Sequence, residues 1–199
     1  MDRIRGATEA LTASRVDCEE ASGRFEEASP TERVEITHAI DASAQARLWE
    51  ATAGRRVSIA EMIPADFEPL RPVHFHGKNS LPLFSHFEKR FCRGPAGGPD
   101  ELWGYNHQPT GWLAPLTGPG YFVAYDAGES VAVDYRRIPP ERPNVWPELR
   151  DNRYRLSRFI YNGMIDYLRR ISPHLLIGRA TRDGKEMPNF FLLCREDPD

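Results

Sequence analysis

The residues best suited to acid–base chemistry lie in one β-prone segment. His86 and Glu88 alternate within the segment from Leu83 to Arg93, so a strand there would place both side chains on one face. In a partly apolar pocket, a base with an orienting carboxylate could transfer protons. The pair therefore predicts the catalytic residues of an isomerase or cyclase that needs no cofactor. The alternative is an ionic cluster with Arg90 on the outside of the sheet.

Two further histidines suggest a metal-dependent chemistry. His74 and His76 alternate in a segment that is predicted to be an edge strand or an extended loop, and both would project to one face. With His86 or Glu88 they could form a three-ligand zinc or iron site that has an open position. Because this spacing is common, the alternative is a pair of surface or hydrogen-bonded histidines. We predict no cofactor, with a metal at His74 and His76 as the alternative.

A third group of residues could bind a small molecule. Aromatic side chains recur at alternate positions of the predicted strands, and they would give a cavity apolar walls with a few polar anchors. An arginine could hold an acidic or carbonyl group of the ligand. The predicted ligand-binding residues are Trp103, Tyr105, His107, Tyr121, Tyr125, Arg158 and Tyr161. The tyrosines could equally well lie at the rim of the barrel, where their hydroxyls reach water. Arg158 could instead form a surface ion pair with Asp151 or Asp166.

The second half of the chain predicts the strands that would position these residues. Two β-prone segments flank Ala127-Gly128-Glu129 and form the clearest hairpin. Two more, His174 to Thr181 and Asn189 to Arg195, flank an Asp-Gly turn and predict a closing hairpin. Just before it, apolar residues recur at helical spacing and predict a short helix: Met164, Ile165, Leu168 and Ile171. We expect five to seven antiparallel strands in all.

Helical signals otherwise concentrate near the N-terminus. Ser29-Pro30-Thr31-Glu32 has the pattern of a capping box with proline at the first helical position, and an apolar stripe then predicts one helix over residues 30–53. Ser58 to Glu61 repeats the capping pattern before a short helix. Residues 1–28 are rich in Ala, Glu, Ser and Arg with little apolar periodicity, and they predict a flexible or weakly helical arm.

Composition limits the classes of protein to which the chain can belong. Its 199 residues are 40% hydrophobic, which suffices for one core and predicts a single domain over residues 29–199. The net charge of -3 gives no basic surface for nucleic acid. Three scattered cysteines fit a reducing compartment, and the N-terminus has neither a signal peptide nor a membrane span. We expect a cytoplasmic protein that binds neither nucleic acid nor membrane.

Consecutive strands with a helical cover and no internal repeat predict an α+β, mostly β fold. The expected architecture is a small closed or nearly closed antiparallel β-barrel with N-terminal helices and a short helix before the closing hairpin. Closure would also protect the strand edges. The dense aromatic residues could fill an eight-stranded barrel or line a cavity for one small ligand, and both alternatives remain open.

The chain contains the segments RLWEAT, VSIAEM and GKNSLPLFSHFEKRF and, near its end, FIYNGMIDYLRRISPHLLIGRATRDGKEMPNFFLLCRE. The first three are similar to the opening of a little-characterised bacterial family that is named for a Gly-x-Trp-x-Gly motif, and the last resembles the domain that usually follows it. The naming motif itself is not preserved, since residues 64–68 read Pro-Ala-Asp-Phe-Glu. The resemblance implies a lipocalin-like, calycin-type barrel with an internal pocket, and it implies no particular activity.

These observations together predict a protein that binds a small, largely apolar, aromatic or polyene-like molecule in a barrel cavity. The alternative is an enzyme of the same shape that acts on such a ligand, either a cofactor-free isomerase or cyclase or a metal-dependent enzyme. A second alternative is a structural or interaction protein with a filled barrel. In that case the helix over residues 30–53 would mediate self-association into a homodimer.

Overall fold

The computed structural model describes residues 2–81, 85–95, 100–107, 118–152 and 161–197. Within these ranges, eight antiparallel strands follow one another around a closed barrel, and the last strand pairs with the first. The strands are β1 Val73–Asn79, β2 His86–Arg93, β3 Leu102–His107, β4 Tyr121–Ala127, β5 Ser130–Asp134, β6 Met164–Arg170, β7 Leu175–Arg182 and β8 Lys185–Arg195. The predicted mostly β, lipocalin-like barrel is confirmed.

The prediction of a short helix before the closing hairpin is wrong, because that segment forms strand β6. Its apolar residues have helical spacing, but β6 pairs with β5 on one side and with β7 on the other. Leu168 points into the barrel, while Tyr167 packs against the outer helical cluster. Hydrogen bonding and packing on both edges outweigh the local periodicity.

Five helices precede the barrel in the described part of the chain: α1 Asp2–Thr12, α2 Cys18–Glu26, α3 Pro30–Ala39, α4 Ala42–Ala51 and α5 Ile59–Met62. None of the helices in this part is long and apolar enough to cross a membrane. The capping boxes predicted at Ser29 and Ser58 are both present.

Two predictions for the N-terminal region need correction. The segment expected to be a flexible or weakly helical arm forms α1 and α2, which bury Leu11 and Phe25 completely. Small alanines complete its apolar face, which explains why a search for large apolar residues misses it. The helix predicted over residues 30–53 is two helices, because Ile40 is extended and the Asp41 side chain accepts a hydrogen bond from the Ala44 amide at 2.8 Å.

Helix α4 packs against the outer faces of β7 and β8, α3 packs against β1 and β8, and α1 packs on α2, α3 and α4. Their apolar side chains form one cluster with outward-facing strand residues such as Ile177 and Leu192. A polar contact reinforces this layer: His174 Nδ1 lies 2.6 Å from Glu26 Oε2, and Ser172 Oγ donates to Glu26 Oε1 at 2.7 Å. Burial alone would raise the pKa of Glu26, but the hydrogen bonds from His174 and Ser172 outweigh it and lower that pKa.

The short helix α5 closes one end of the barrel. Ile59 and Met62 join the interior cluster, and polar contacts fasten the helix to the strand ends around it. Asp126 on β4 accepts from the Ile59 amide at 2.8 Å, and Arg195 on β8 donates to the Met62 carbonyl at 3.2 Å. Arg93 on β2 donates to the Ile63 carbonyl at 2.6 Å. The opposite end, at which β2 and β6 begin, is called the far end below.

Glycines in the strands make room for phenylalanine rings inside the barrel. Gly104 and Gly178 pair directly with Phe122 and Phe191 on neighbouring strands. A Cβ atom at either glycine would come within 3.0 Å of the ring atoms. The rings therefore lie against bare backbone, and the barrel interior depends on these glycines.

Gly178→Ala should lower the free energy of unfolding by about 1–3 kcal/mol, because the new methyl group forces the Phe191 ring out of its place. Gly23→Ala is the matched control, since nothing lies within 4 Å of a Cβ at that exposed position of α2. There the same change should stabilise by about 1 kcal/mol through helix propensity. Urea unfolding of both variants measures the difference, and equal effects would contradict the packing argument.

Candidate functional site

A buried ion pair lies inside the barrel. Lys89 on β2 and Asp166 on β6 are 2% and 3% exposed, and Lys89 Nζ is 3.0 Å from Asp166 Oδ2. The two strands are four positions apart around the closed barrel, so the pair joins opposite walls. Both residues occupy inward positions because side chains alternate along a strand, and the neighbouring inward residues Phe87 and Leu168 belong to the interior cluster.

Two more polar side chains complete this interior cluster. Asn106, which faces Lys89 across the β2–β3 pair, accepts from Lys89 Nζ at 3.0 Å. The Tyr135 hydroxyl also accepts from Lys89 Nζ, and it accepts from Asn106 Nδ2 at 2.9 Å. It donates to Asp166 Oδ2 at 3.2 Å. Each of the three N–H groups of the lysine thus has an acceptor. We call Lys89, Asn106, Tyr135 and Asp166 the polar cluster.

Aromatic rings surround the polar cluster. Lys89 Nζ lies 4.9 to 5.7 Å from the ring centroids of four residues, Phe87, Phe122, Tyr135 and Phe191. The π faces of the three phenylalanines partly compensate the ammonium for its lost hydration, whereas Tyr135 presents its hydroxyl. Burial lowers the pKa of Lys89 from its ordinary value of 10.5, although the charge of Asp166 acts in the opposite direction. Burial, with Asp166 beside it, raises the pKa of Tyr135 well above 10.0, so the phenol keeps its proton.

One atom of the polar cluster is not satisfied. Asp166 Oδ1 is buried, and among the residues that the structure describes it has no hydrogen-bond partner. Its sister oxygen Oδ2, by contrast, accepts from both Lys89 and Tyr135. A buried carboxylate oxygen without a partner is costly and rare in native proteins. This oxygen is therefore the position in the interior at which a bound molecule would gain most.

A pocket of about 420 Å³ lies beside Tyr135 at the far end of the barrel. It is lined by Tyr135, Arg136, Ile138, Asp151, Asn152 and Asn162. Asn152 holds one wall in place, because its Nδ2 donates to the carbonyls of Tyr121 and Tyr135 at 2.6 and 2.8 Å. Tyr135 thus borders this pocket while its hydroxyl belongs to the polar cluster.

The residues predicted as catalytic lie on the other side of the sheet. His86 and Glu88 face outward on β2, because Phe87 and Lys89 take the inward positions. Glu88 Oε2 accepts from Arg90 Nε at 2.8 Å, as in the ionic cluster considered as the alternative. The His86 ring contacts the His38 ring of α3, with centroids 4.3 Å apart. His86 and Glu88 thus lie on the opposite face of β2 from Lys89, and the contacts described for them are with His38 and Arg90 and not with the polar cluster.

The histidines predicted as metal ligands also face outward. His74 Nδ1 and His76 Nε2 lie 3.3 and 3.7 Å from Glu196 Oε2, so one carboxylate stands beside both rings. Within the described ranges, no group of three or more His, Cys, Asp or Glu side chains could hold a metal ion. The structure therefore offers the metal alternative no ligand set in those ranges.

The predicted ligand-binding residues are divided between the two faces. Trp103, Tyr105 and Tyr121 form a cluster on the outer faces of β3 and β4 that Trp146 of the following loop covers. His107 stands beside the Tyr105 ring, and Tyr125 packs against Arg137. Tyr161 lies inside, where it stacks on Tyr135 with ring centroids 5.2 Å apart. Arg158 falls outside the described residues.

Sequence reasoning missed the polar cluster, although one signal was available. Lys89 alternates with Phe87 and Phe91, so a strand places a lone charge on an apolar face. A buried lysine needs a partner, and this need could have prompted a search for an inward carboxylate. Asp166 would not have been found in this way, because the helical periodicity of its segment predicts a helix. An inward position on a strand is therefore not assigned to it.

Comparison of the chain with protein-family models, with curated proteins and with solved structures finds no match in any of the three. The site must therefore be interpreted from its own geometry.

Lys89→Met should lower the free energy of unfolding by about 3–5 kcal/mol, because it leaves the Asp166 charge buried without its partner. Lys89→Met combined with Asp166→Leu replaces both charges with apolar side chains and should recover most of that loss. Urea unfolding near neutral pH measures both.

Arg24→Met is the control for removal of a surface ion pair, since Arg24 Nε lies 3.0 Å from Glu20 Oε1 with both side chains about half exposed. We expect a change of about 0.5 kcal/mol or less. A double variant less stable than Lys89→Met alone would contradict the assignment of the lysine and the aspartate as one unit.

His38 should remain neutral well below the ordinary histidine range. Burial, and then the neighbouring His86, lower the pKa of His38 from 6.5 to about 4. The unfolded chain therefore binds more protons than the folded protein between these values, and stability should fall as the pH drops from 6.5 to about 4. Proton NMR titration measures the pKa, and the stability of His38→Phe should vary less over the same interval. An unchanged slope in the variant would assign the dependence to other groups.

Proposed function

We propose that the barrel binds a small, largely apolar molecule whose single hydrogen-bond donor reaches Asp166 in the interior. The observation that carries this proposal is Asp166 Oδ1, which is buried and, in the part of the chain described, has no partner. A ligand that donates to this oxygen removes the cost of leaving it unpaired. Because a carboxylate oxygen accepts hydrogen bonds, the ligand must carry the donor, such as an alcohol, enol or phenol.

The surroundings of the oxygen favour a flat, apolar ligand body. The polar cluster is enclosed by the rings of Phe87, Phe122 and Phe191, which contact aromatic molecules through edge and face. The three N–H donors of Lys89 are already occupied. A ligand with many polar groups would therefore leave some of its own polar groups unpaired.

The position of the pocket beside Tyr135 supports entry from the far end. Helix α5 lies across the other end and is fastened to β2, β4 and β8, and the pocket that remains there, beside Met62 and Phe75, is smaller, at about 160 Å³. Tyr135 borders the pocket and donates to Asp166 Oδ2, so a molecule in the pocket is one side chain away from the polar cluster. The ligand would thus reach Asp166 without displacing the helix.

The test compares two probes that differ in one donor. 2-Naphthol carries a hydroxyl, and 2-methoxynaphthalene has the same aromatic body without it. Isothermal titration calorimetry of the purified protein should show 2-naphthol binding about 10- to 100-fold more tightly, which corresponds to one hydrogen bond to a charged acceptor.

Two variants assign that preference to Asp166. The Lys89→Met/Asp166→Leu protein lacks the acceptor and should bind both probes with similar affinity. Glu88→Gln is the matched control, because it removes a carboxylate from the outer face of the same strand as Lys89, and it should keep the preference. Equal affinities in the unaltered protein, or no binding of either probe, would overturn the proposal.

A further inference from the structure

The two oxygens of the Asp166 carboxylate have different environments. Oδ2 accepts from Lys89 Nζ at 3.0 Å and from the Tyr135 hydroxyl at 3.2 Å, which fixes the orientation of the group. Oδ1, buried beside it, accepts from none of the described residues. An oriented carboxylate with one free oxygen in a site that excludes water is the arrangement that a general base requires.

From this arrangement we infer that Asp166 is the catalytic base of a keto–enol tautomerase, whose substrates are small aromatic or conjugated ketones and their enols. This inference rests on the proposed binding function, because the enol is a flat apolar molecule with one hydroxyl donor. It goes beyond binding in assigning a reaction, and it places that reaction inside the barrel rather than at His86 and Glu88.

The reaction needs no other reagent. Asp166 Oδ1 takes a proton from the carbon next to the carbonyl group, and the electron pair of that C–H bond forms the C=C bond of an enolate. The carbonyl π electrons move to its oxygen. The neutral acid at Asp166 then returns the proton, either to oxygen to give the enol or to carbon to give the ketone. No oxidant, reductant or cofactor takes part, and the carboxylate is regenerated.

Lys89 keeps a positive charge in the cluster throughout this step, and its three N–H groups remain with Asn106, Tyr135 and Asp166. As the enolate forms, negative charge leaves the carboxylate and develops on the substrate oxygen, while the ammonium stays within the same cluster. In a site walled by aromatic rings, a fixed cation stabilises such a charge more strongly than it would in water. Burial keeps the pKa of Tyr135 well above 10.0, so its phenol remains a donor and does not compete as the base.

The experiment follows hydrogen exchange at carbon. 2-Tetralone, a small aromatic ketone whose enol has nearly the shape of 2-naphthol, is incubated in D2O buffer with and without the protein. Loss of the protons next to the carbonyl is followed by NMR. The unaltered protein should accelerate the exchange, and Asp166→Asn should reduce that acceleration by about 100-fold or more. Glu88→Gln should leave it unchanged.

A second measurement does not depend on how well the Asp166 variant folds. With the unaltered protein, 2-naphthol should inhibit the exchange, while 2-methoxynaphthalene at the same concentration should inhibit it much less. Binding of 2-naphthol without any acceleration of exchange would overturn the tautomerase and leave the binding function standing. Acceleration that folded Asp166→Asn retains would overturn the assignment of the base. If neither probe binds and no exchange is accelerated, both proposals fail.

Discussion

The barrel interior is built around the buried ion pair between Lys89 and Asp166. This pair joins strands on opposite walls, with Nζ and Oδ2 3.0 Å apart. Removing two charges from water is expensive, and the cost is met only if almost every donor and acceptor is paired. Asn106 and Tyr135 provide that pairing, and the surrounding rings exclude water.

The rest of the fold encloses this interior. Helices α3 and α4 cover the outer side of β1, β7 and β8, with α1 and α2 joined to the same cluster, the loop that carries Trp146 covers β3 and β4, and α5 lies across one end. Polar side chains fasten each layer at its edges, as Glu26 does with His174 and Arg93 does with the Ile63 carbonyl. The pocket beside Tyr135 lies at the far end, opposite α5.

The faces of one strand separate two kinds of chemistry. On β2, the outward residues His86 and Glu88 are in contact with His38 and Arg90 at the protein surface. The inward residue Lys89, one position further, lies in a dry aromatic site in which its pKa is lowered by burial. A shift of one residue along a strand thus exchanges a partly exposed ionic cluster on the outer face for a fully buried one, since successive side chains point to opposite faces.

The sequence by itself predicted a mostly β barrel, although with five to seven strands where the structure has eight. It also predicted the closing hairpin and the two capping boxes, because alternation, turn residues and caps act within a few residues. Only the tertiary structure decided that β6 is a strand, since its partners β5 and β7 outweigh a local helical period. It also decided which strand faces point inward, and so replaced the predicted His86 and Glu88 by Lys89 and Asp166 as the interior charges. Their 77-residue separation has no local signature, and barrel closure alone brings them together.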